Sequence, residues 1–281
     1  MRKSGIDFPK RQRTIPVMDN NASGHMQEWE RAEIERSASE AARGPSESLK
    51  FTAQNIARYL DPPATTCFPH EYCFHLLGDL RGKRVLDFGC GNGENTVMLA
   101  LRGGDVIAMD ISTALIQTAK QRLAVNDVSA PVGFFASSAH AVALPDNSVD
   151  VVLGIAILHH LDLALTAKEV RRILRPGGRA IFLEPVRNSP TLKWIRSLIP
   201  YQAPDVSPFE RPLTDEELLA FGKEFRTSHI RAFALPYISV AAVLPFLQKF
   251  IPALFRMDAK ILRAMPALDY WATSKVIRLE K

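Results

Sequence analysis

The chain has 281 residues, 47% of them hydrophobic and 23% charged, with a formal net charge of +5. That apolar content is ample for a buried core, and the length suits one large elaborated domain better than two. No run reaches the ~18 apolar residues of a membrane span, no apolar segment follows the early charges as a signal peptide would require, and Cys67, Cys73 and Cys90 are too few and badly spaced for a disulfide framework or zinc site. The expected compartment is the cytoplasm, and no metal is expected.

In chain order, residues 1–24 read as a disordered basic tail carrying Arg2, Lys3, Lys10, Arg11 and Arg13. Residues 25–80 read as a helical cap. Its predicted helices are 26–44, ending on Gly44; 48–60, stopped by Pro62 and Pro63; and 70–80, ending near Gly82. From there strands and helices alternate: strand 84–88, helix 94–103, strand 105–110, helix 112–126 with Ser112 as its N-cap, strands 131–137 and 149–157, helix 166–178, strand 179–185. Such alternation predicts an α/β fold, a parallel sheet with right-handed crossovers and helices on both faces. Ligands then bind beyond the carboxyl ends of the strands. Asp87, Asp110, Ser137 and Ile155 all fall at such ends.

The chemistry-bearing stretch is VLDFGCGNGENT, residues 85–96. Gly89, Gly91 and Gly93 follow an apolar strand that ends in an acid. A dinucleotide fingerprint needs glycine at the position of Glu94, and a carboxylate at that helix start opposes a pyrophosphate. A nicotinamide oxidoreductase is therefore disfavoured. Asp87 beside the loop suits a cationic ligand part, and Asp110 at the end of the second strand can accept from two ribose hydroxyls. An adenosine joined to an amino acid, S-adenosylmethionine (SAM), fits both.

With VLDFGCGNG, VIAMDIS, SSAHAVALPDNSVDVV, ILHHL and RRILRPGGRAIFLEP in order, the chain resembles the class I SAM-dependent methyltransferases over roughly 80–185. It is closest to the branch of ubiquinone and menaquinone C-methyltransferases and many small-molecule enzymes, including those of secondary metabolism. The resemblance implies a Rossmann-like, doubly wound seven-stranded sheet, mostly parallel with an antiparallel last strand. It places Asp87 and the backbone of Gly89, Cys90 and Gly91 on the methionine part, Asp110 on the ribose, and Ile111 on the adenine. Ser138 and Ala139 stand in the adenine region, and Ser138 replaces the aspartate that the family often has there. Ile155 completes the cofactor set.

His159 and His160 follow the fourth strand, and either is a candidate general base. Tyr72 and His75, on the helix before the first strand, are candidate substrate contacts. Packing is the more common fate of such a tyrosine. His25 and Trp29 are candidates for a lid.

After residue 185, a Pro-rich insertion over 186–213 contains Trp194. Helix 214–222 follows, opened by Thr214, then strand 227–235. A second insertion over 236–268 is apolar with recurring Lys249, Arg256, Lys260 and Arg263. It admits three readings: a helical lid over an apolar substrate, with Trp194 and Tyr237 as contacts; a membrane-surface or homodimer face; or plain core. A last strand ends the chain. The core domain is thus 81–281. No basic stripe with interleaved aromatics points to nucleic acid. The expected function is methyl transfer from SAM to a small, partly apolar acceptor. The alternative is a SAM-binding noncatalytic or regulatory subunit.

Overall fold

The computed structural model of the protein describes residues 20–43, 49–190 and 211–281. Its strands are β1 (Arg84–Phe88), β2 (Asp105–Asp110), β3 (Val132–Ala136), β4 (Val149–Ile155), β5 (Leu174–Pro185), β6 (Thr227–Phe233) and β7 (Ser274–Glu280). They form one sheet in the order β3-β2-β1-β4-β5-β7-β6. The pairs β1–β2, β1–β4, β2–β3 and β4–β5 are parallel. β7 runs antiparallel between β5 and β6, so β6 points the same way as the first five strands. The expected mostly parallel sheet with an antiparallel last strand is present.

Because side chains alternate across a strand, each strand feeds two apolar layers. Leu86, Phe88, Phe182 and Ile277 pack on one face with Val170 of α6 (Leu163–Ile173) and Phe221 of α7 (Asp215–Gly222). Val85, Ile181 and Val276 pack on the other with Phe74 and Leu77 of α3 (Pro69–Leu77) and Leu99 of α4 (Glu94–Leu101). Coverage of both faces is what makes β1 and β4 almost continuously buried.

Local capping matches the sequence where a side chain can close the helix end. The Ser112 hydroxyl accepts from the Leu115 amide at the start of α5 (Thr113–Val125). Thr214 and Glu217 make a reciprocal capping box on α7. Other boundaries move. α1 spans Asn20–Arg43, so helix begins inside the expected tail; residues 1–19 lie outside the described set. α2 (Ala53–Leu60) starts after Thr52, whose hydroxyl caps it, five residues later than expected. The helix expected to reach residue 178 stops at Ile173, because Leu174 already pairs with Val149. Pro176 and Gly177 sit within β5's irregular start rather than at a helix end. The second insertion is helical: α8 (Pro236–Val243), α9 (Pro245–Gln248) and α10 (Ile251–Ala264), followed by a 3-10 turn at Pro266–Trp271. Among the described residues, no helix is long and apolar enough to cross a membrane.

Gly93 holds the glycine loop against α5. Its φ is +87°, and a Cβ there would stand 2.7 Å from both Cα and Cβ of Ala119. Gly93→Ala combines left-handed strain with overpacking against backbone, so it should cost at least about 2 kcal/mol. A thermal melt should place its midpoint several degrees below that of the parent; an unchanged midpoint would contradict the packing described.

Candidate functional site

The site is built at the carboxyl ends of β1, β2 and β4. Leaving β1, the loop turns at Gly89, Gly91 and Gly93, all at positive φ, where glycine alone is unstrained. The amides of Gly89 and Cys90 both donate to the Met109 carbonyl, at 2.9 and 2.8 Å, which pins the loop to β2. The Gly91 amide donates to Asp110 Oδ2 at 2.9 Å, and the Ser112 amide donates to Oδ1 at 2.8 Å. Burial raises the Asp110 carboxyl above its usual pKa, against these two amide bonds. Each oxygen keeps a lone pair for a further donor.

Asp87 lies deeper. It is 1% exposed, and the Thr96 hydroxyl donates to it at 2.5 Å. Burial pushes its carboxyl up to about 7, only partly offset by Thr96 and reinforced by the charge of Asp110. A carboxyl so poised gives up its proton readily when a cation is placed beside it.

The wall opposite the loop comes from the end of β4. Ala156 has φ +53°, a strained turn for a residue with a Cβ. The chain then folds back through a 3-10 turn at Leu158–His160. Glu184, fully buried at the end of β5, holds that turn. Its Oε1 accepts from the amides of Ile157 and Leu158 at 2.9 and 2.8 Å, and its Oε2 stands 2.8 Å from His159 Nδ1. With Nδ1–H donated to the carboxylate, Nε2 of His159 is left as the basic nitrogen. The His160 ring packs against that of His159 at 4.1 Å between centroids.

The roof is α1. Its Glu30, Glu33, Arg36 and Ser37 line a cavity of about 190 Å³ together with Gly89, Gly91, Asp110, Ile111, Leu115, Ser138, Ala139, Ile155 and His160. The Ser138 hydroxyl donates to Glu30. His140 Nε2 accepts the Asp162 amide at 2.9 Å, so its Nδ1 carries the proton that faces Glu30 at 3.3 Å. Glu33 Oε2 stands 3.4 Å from His160 Nδ1, a charge contact without hydrogen-bond alignment. Glu33 Oε1 accepts from Arg36 Nε at 2.8 Å. Burial works to raise the Glu33 carboxyl, yet His160 and Arg36 together hold it down to about 2.

Of the residues singled out from sequence, Gly89, Gly91, Asp110, Ile111, Ser138, Ala139, Ile155 and His160 line this one cavity. Others do not. Asp87 sits beneath the loop. The Cys90 side chain packs on Ala108 and Ile116, where burial raises its thiol far above the usual range. His159 stands behind the wall, on Glu184. Tyr72 and His75 belong elsewhere: Tyr72 is packed on Phe233 under the Arg231 guanidinium, and His75 Nδ1 faces the Pro62 carbonyl at 3.0 Å. The Tyr237 hydroxyl donates to Asp258 at 2.9 Å. Trp194 and the side chains of His25 and Trp29 lie outside the described residues. Sequence reasoning missed Glu30 and Glu33. Their i, i+3 spacing marks one helix face, and nothing local says what that face meets. Among the described residues, no cluster of His, Cys, Asp and Glu could hold a metal.

A family model described as a methyltransferase domain matches residues 86–182. An uncharacterized methyltransferase of Mycobacterium tuberculosis is 39% identical over 116 residues, 41% of this chain and 45% of that protein. A ubiquinone biosynthesis O-methyltransferase of Alkalilimnicola ehrlichii is 31% identical over 183 residues, 59% of this chain and 72% of that protein. The chain belongs to the class I SAM-dependent methyltransferases. Its fold is also that of geranyl diphosphate C-methyltransferase from Streptomyces coelicolor, solved with Mg²⁺, geranyl diphosphate and S-adenosylhomocysteine. The TM-score is 0.51 at 15% identity, over 84% of this chain and 99% of that one. Against the mycobacterial methyltransferase this chain spans about half the relative's length.

The Glu33 contact gives the methyltransferase a pH-sensitive roof. A carboxyl held down to about 2 from its usual 4.5 contributes to docking above pH ~4.5 and loses that contribution as pH falls toward 2. Amide exchange in α1, corrected for intrinsic rate, should accelerate across that window. Glu33→Gln should exchange fast at both ends of it; a flat profile in the parent would refute the contact.

Proposed function

We propose that this chain transfers a methyl group from SAM to a small, partly apolar acceptor. The observation that carries the reading is the pair of buried carboxylates, Asp87 and Asp110, on either side of a positive-φ glycine loop. Asp110 opens onto a cavity walled by Ile111, Leu115 and Ala139 and bordered by His160, and Asp87 lies beneath the loop that floors it. These residues fit the cofactor: an acid under the loop for a cation, an acid with spare lone pairs for ribose, apolar faces for a purine. When bound, SAM supplies a methyl group already activated on a sulfonium.

The chain's own residues then have distinct tasks. Asp110 orients the ribose, and Asp87 neutralises positive charge beneath the loop. Alignment of the acceptor and exclusion of water fall to the 3-10 turn and α1. His159 or His160 accepts a proton where the acceptor must lose one. Glu184 is a positioning residue that fixes the tautomer of His159 and the path of the turn. The cavity of about 190 Å³ is smaller than the roughly 300–1,000 Å³ usual for small-molecule sites, so ligand entry requires α1 to move outward. The acceptor is partly apolar in this reading because the rim is formed by Ile155, Ile157 and Leu161, and because the Alkalilimnicola relative is named for ubiquinone biosynthesis.

Glu30 deserves a role in the same reading. Ser138 has no charge of its own, and the Glu30 carboxylate reaches it from α1. Together they offer an acceptor for the amino edge of adenine.

Calorimetry with S-adenosylhomocysteine tests the cofactor site, with NADH as control. Micromolar binding that Asp110→Ala abolishes is expected; absence of binding in the parent protein would overturn the reading. With SAM itself, affinity should rise between pH ~6 and ~8 as Asp87 sheds its proton, and Asp87→Asn should flatten that rise. Glu30→Ala should weaken binding of the adenosyl ligand more than of its inosyl analogue. Adding Ser138→Asp should restore the preference. With an accepted substrate in hand, loss of the base histidine should lower turnover ~10²–10⁴-fold with SAM affinity little changed. Unaltered turnover in both His159→Ala and His160→Ala would remove the base from the mechanism.

A further inference from the structure

The segment between β6 and β7 leaves and re-enters the sheet at the edge that carries the candidate site, because β6 is parallel to β1–β5 and β7 is antiparallel to them. It is fastened there by one buried acid. Asp258 of α10, 2% exposed, accepts from the amides of Ala234 and Leu235 at 3.1 and 3.0 Å and from the Tyr237 hydroxyl. The inward side of α10 is thereby accounted for, with Leu262 buried and Phe255 packed on Phe68.

The outward side has an unusual make-up for a surface. Val240 and Val243 of α8, Phe246 of α9 and Phe250 at the next turn are all exposed, Val243 by 78% and Phe246 by 66%. They follow one another through α8, α9 and the turn into α10, where Pro245 and Phe250 redirect the chain, and make a run of exposed apolar side chains at this end of the insertion, which Met257 continues along α10. Lys249, Arg256, Lys260 and Arg263 are exposed beside it. Residues 256, 260 and 263 follow helical spacing and share one stripe. Among the described residues none of these four cations forms an ion pair, and the one acid in residues 236–268, Asp258, is buried. Lys249 Nζ instead lies 5.0 Å from the Phe250 ring centroid.

An apolar tip flanked by a stripe of unpaired cations, with no exposed acid between residues 236 and 268, is complementary to one kind of surface: an apolar layer beneath an anionic one. We propose that α8, α9 and α10 dock this protein peripherally on an anionic lipid bilayer, the tip entering the acyl boundary and the α10 cations meeting the headgroups. A protein partner of matching shape would supply discrete carboxylates for the cations. A second copy of this chain would set cation against cation. The surface goes beyond the methyltransferase reading and stands independently of it. If that reading also holds, docking brings the open edge of the sheet to the membrane, where an apolar acceptor would be held.

Co-sedimentation of the full chain with vesicles tests this, using phosphatidylcholine alone and phosphatidylcholine with about one third phosphatidylglycerol. The expected result is binding at least about tenfold tighter to the anionic vesicles, weakened by 0.5 M salt. Val243→Asp/Phe246→Asp should abolish it while S-adenosylhomocysteine affinity and the melting temperature stay unchanged. Lys249→Glu/Lys260→Glu, which leaves the apolar tip intact, should reduce binding to the level of neutral vesicles and decides the matter if the first variant misfolds. No binding to either vesicle, equal binding by the charge-reversed variant, or a stable dimer in light scattering that the same substitutions dissociate would each overturn the proposal. Loss of S-adenosylhomocysteine binding in the parent protein would count against the methyl-transfer reading alone.

Discussion

Carboxylates taken out of water at the strand ends are what the site depends on. A parallel sheet stops with backbone groups that no further strand can satisfy, and a turn placed there must find partners for its amides. Asp110 accepts from Gly91 and Ser112, and Glu184 accepts from Ile157 and Leu158. These two acids hold the glycine loop and the 3-10 turn on opposite sides of one opening. Their burial is costly in itself, and the amide bonds offset the cost. The price is a wall with little freedom to relax, which is what a positioning site requires.

Against this fixed floor, the roof is held by weaker contacts. α1 reaches the site through a few side chains, Glu30 on Ser138 and His140, and Glu33 on His160. Contacts of this kind can be broken and remade without disturbing the core, whereas the loop amides are tied to the Met109 carbonyl and the turn amides to the buried Glu184 carboxylate. The division between a rigid floor and a detachable roof follows from where the hydrogen bonds are made: to the main chain below, and to side chains above.

Much of the floor was legible in the sequence. The strands over 84–88 and 105–110 carry local signals: apolar runs with acids at their ends and glycines after them. Both acids and the glycine loop stand where that pattern puts them. Less was legible where tertiary pairing competes with local propensity. Leu174 leaves the helical pattern of RRILRPGG because a strand partner, Val149, is available. Tyr72 and His75 lie on α3, which packs on β5 and β7, and neither lines the cavity. Glu30 meets Ser138 across 108 residues of sequence, and the apolar segment after β6 kept three readings because exposure is a property of the folded chain.

The position of β7 sets the order in which the sheet can be completed. β1 to β5 are made in sequence and can pair as they emerge, but β6 has no strand to pair with until β7 has formed beside β5. Until then β5 is an open edge, with unpaired donors and acceptors that invite association with other chains. The helices of the second insertion are synthesised in that interval, so the exposed apolar surface of Val243, Phe246 and Phe250 is present while the sheet is still unfinished. Assembly is therefore most vulnerable to aggregation between the synthesis of β5 and the insertion of β7.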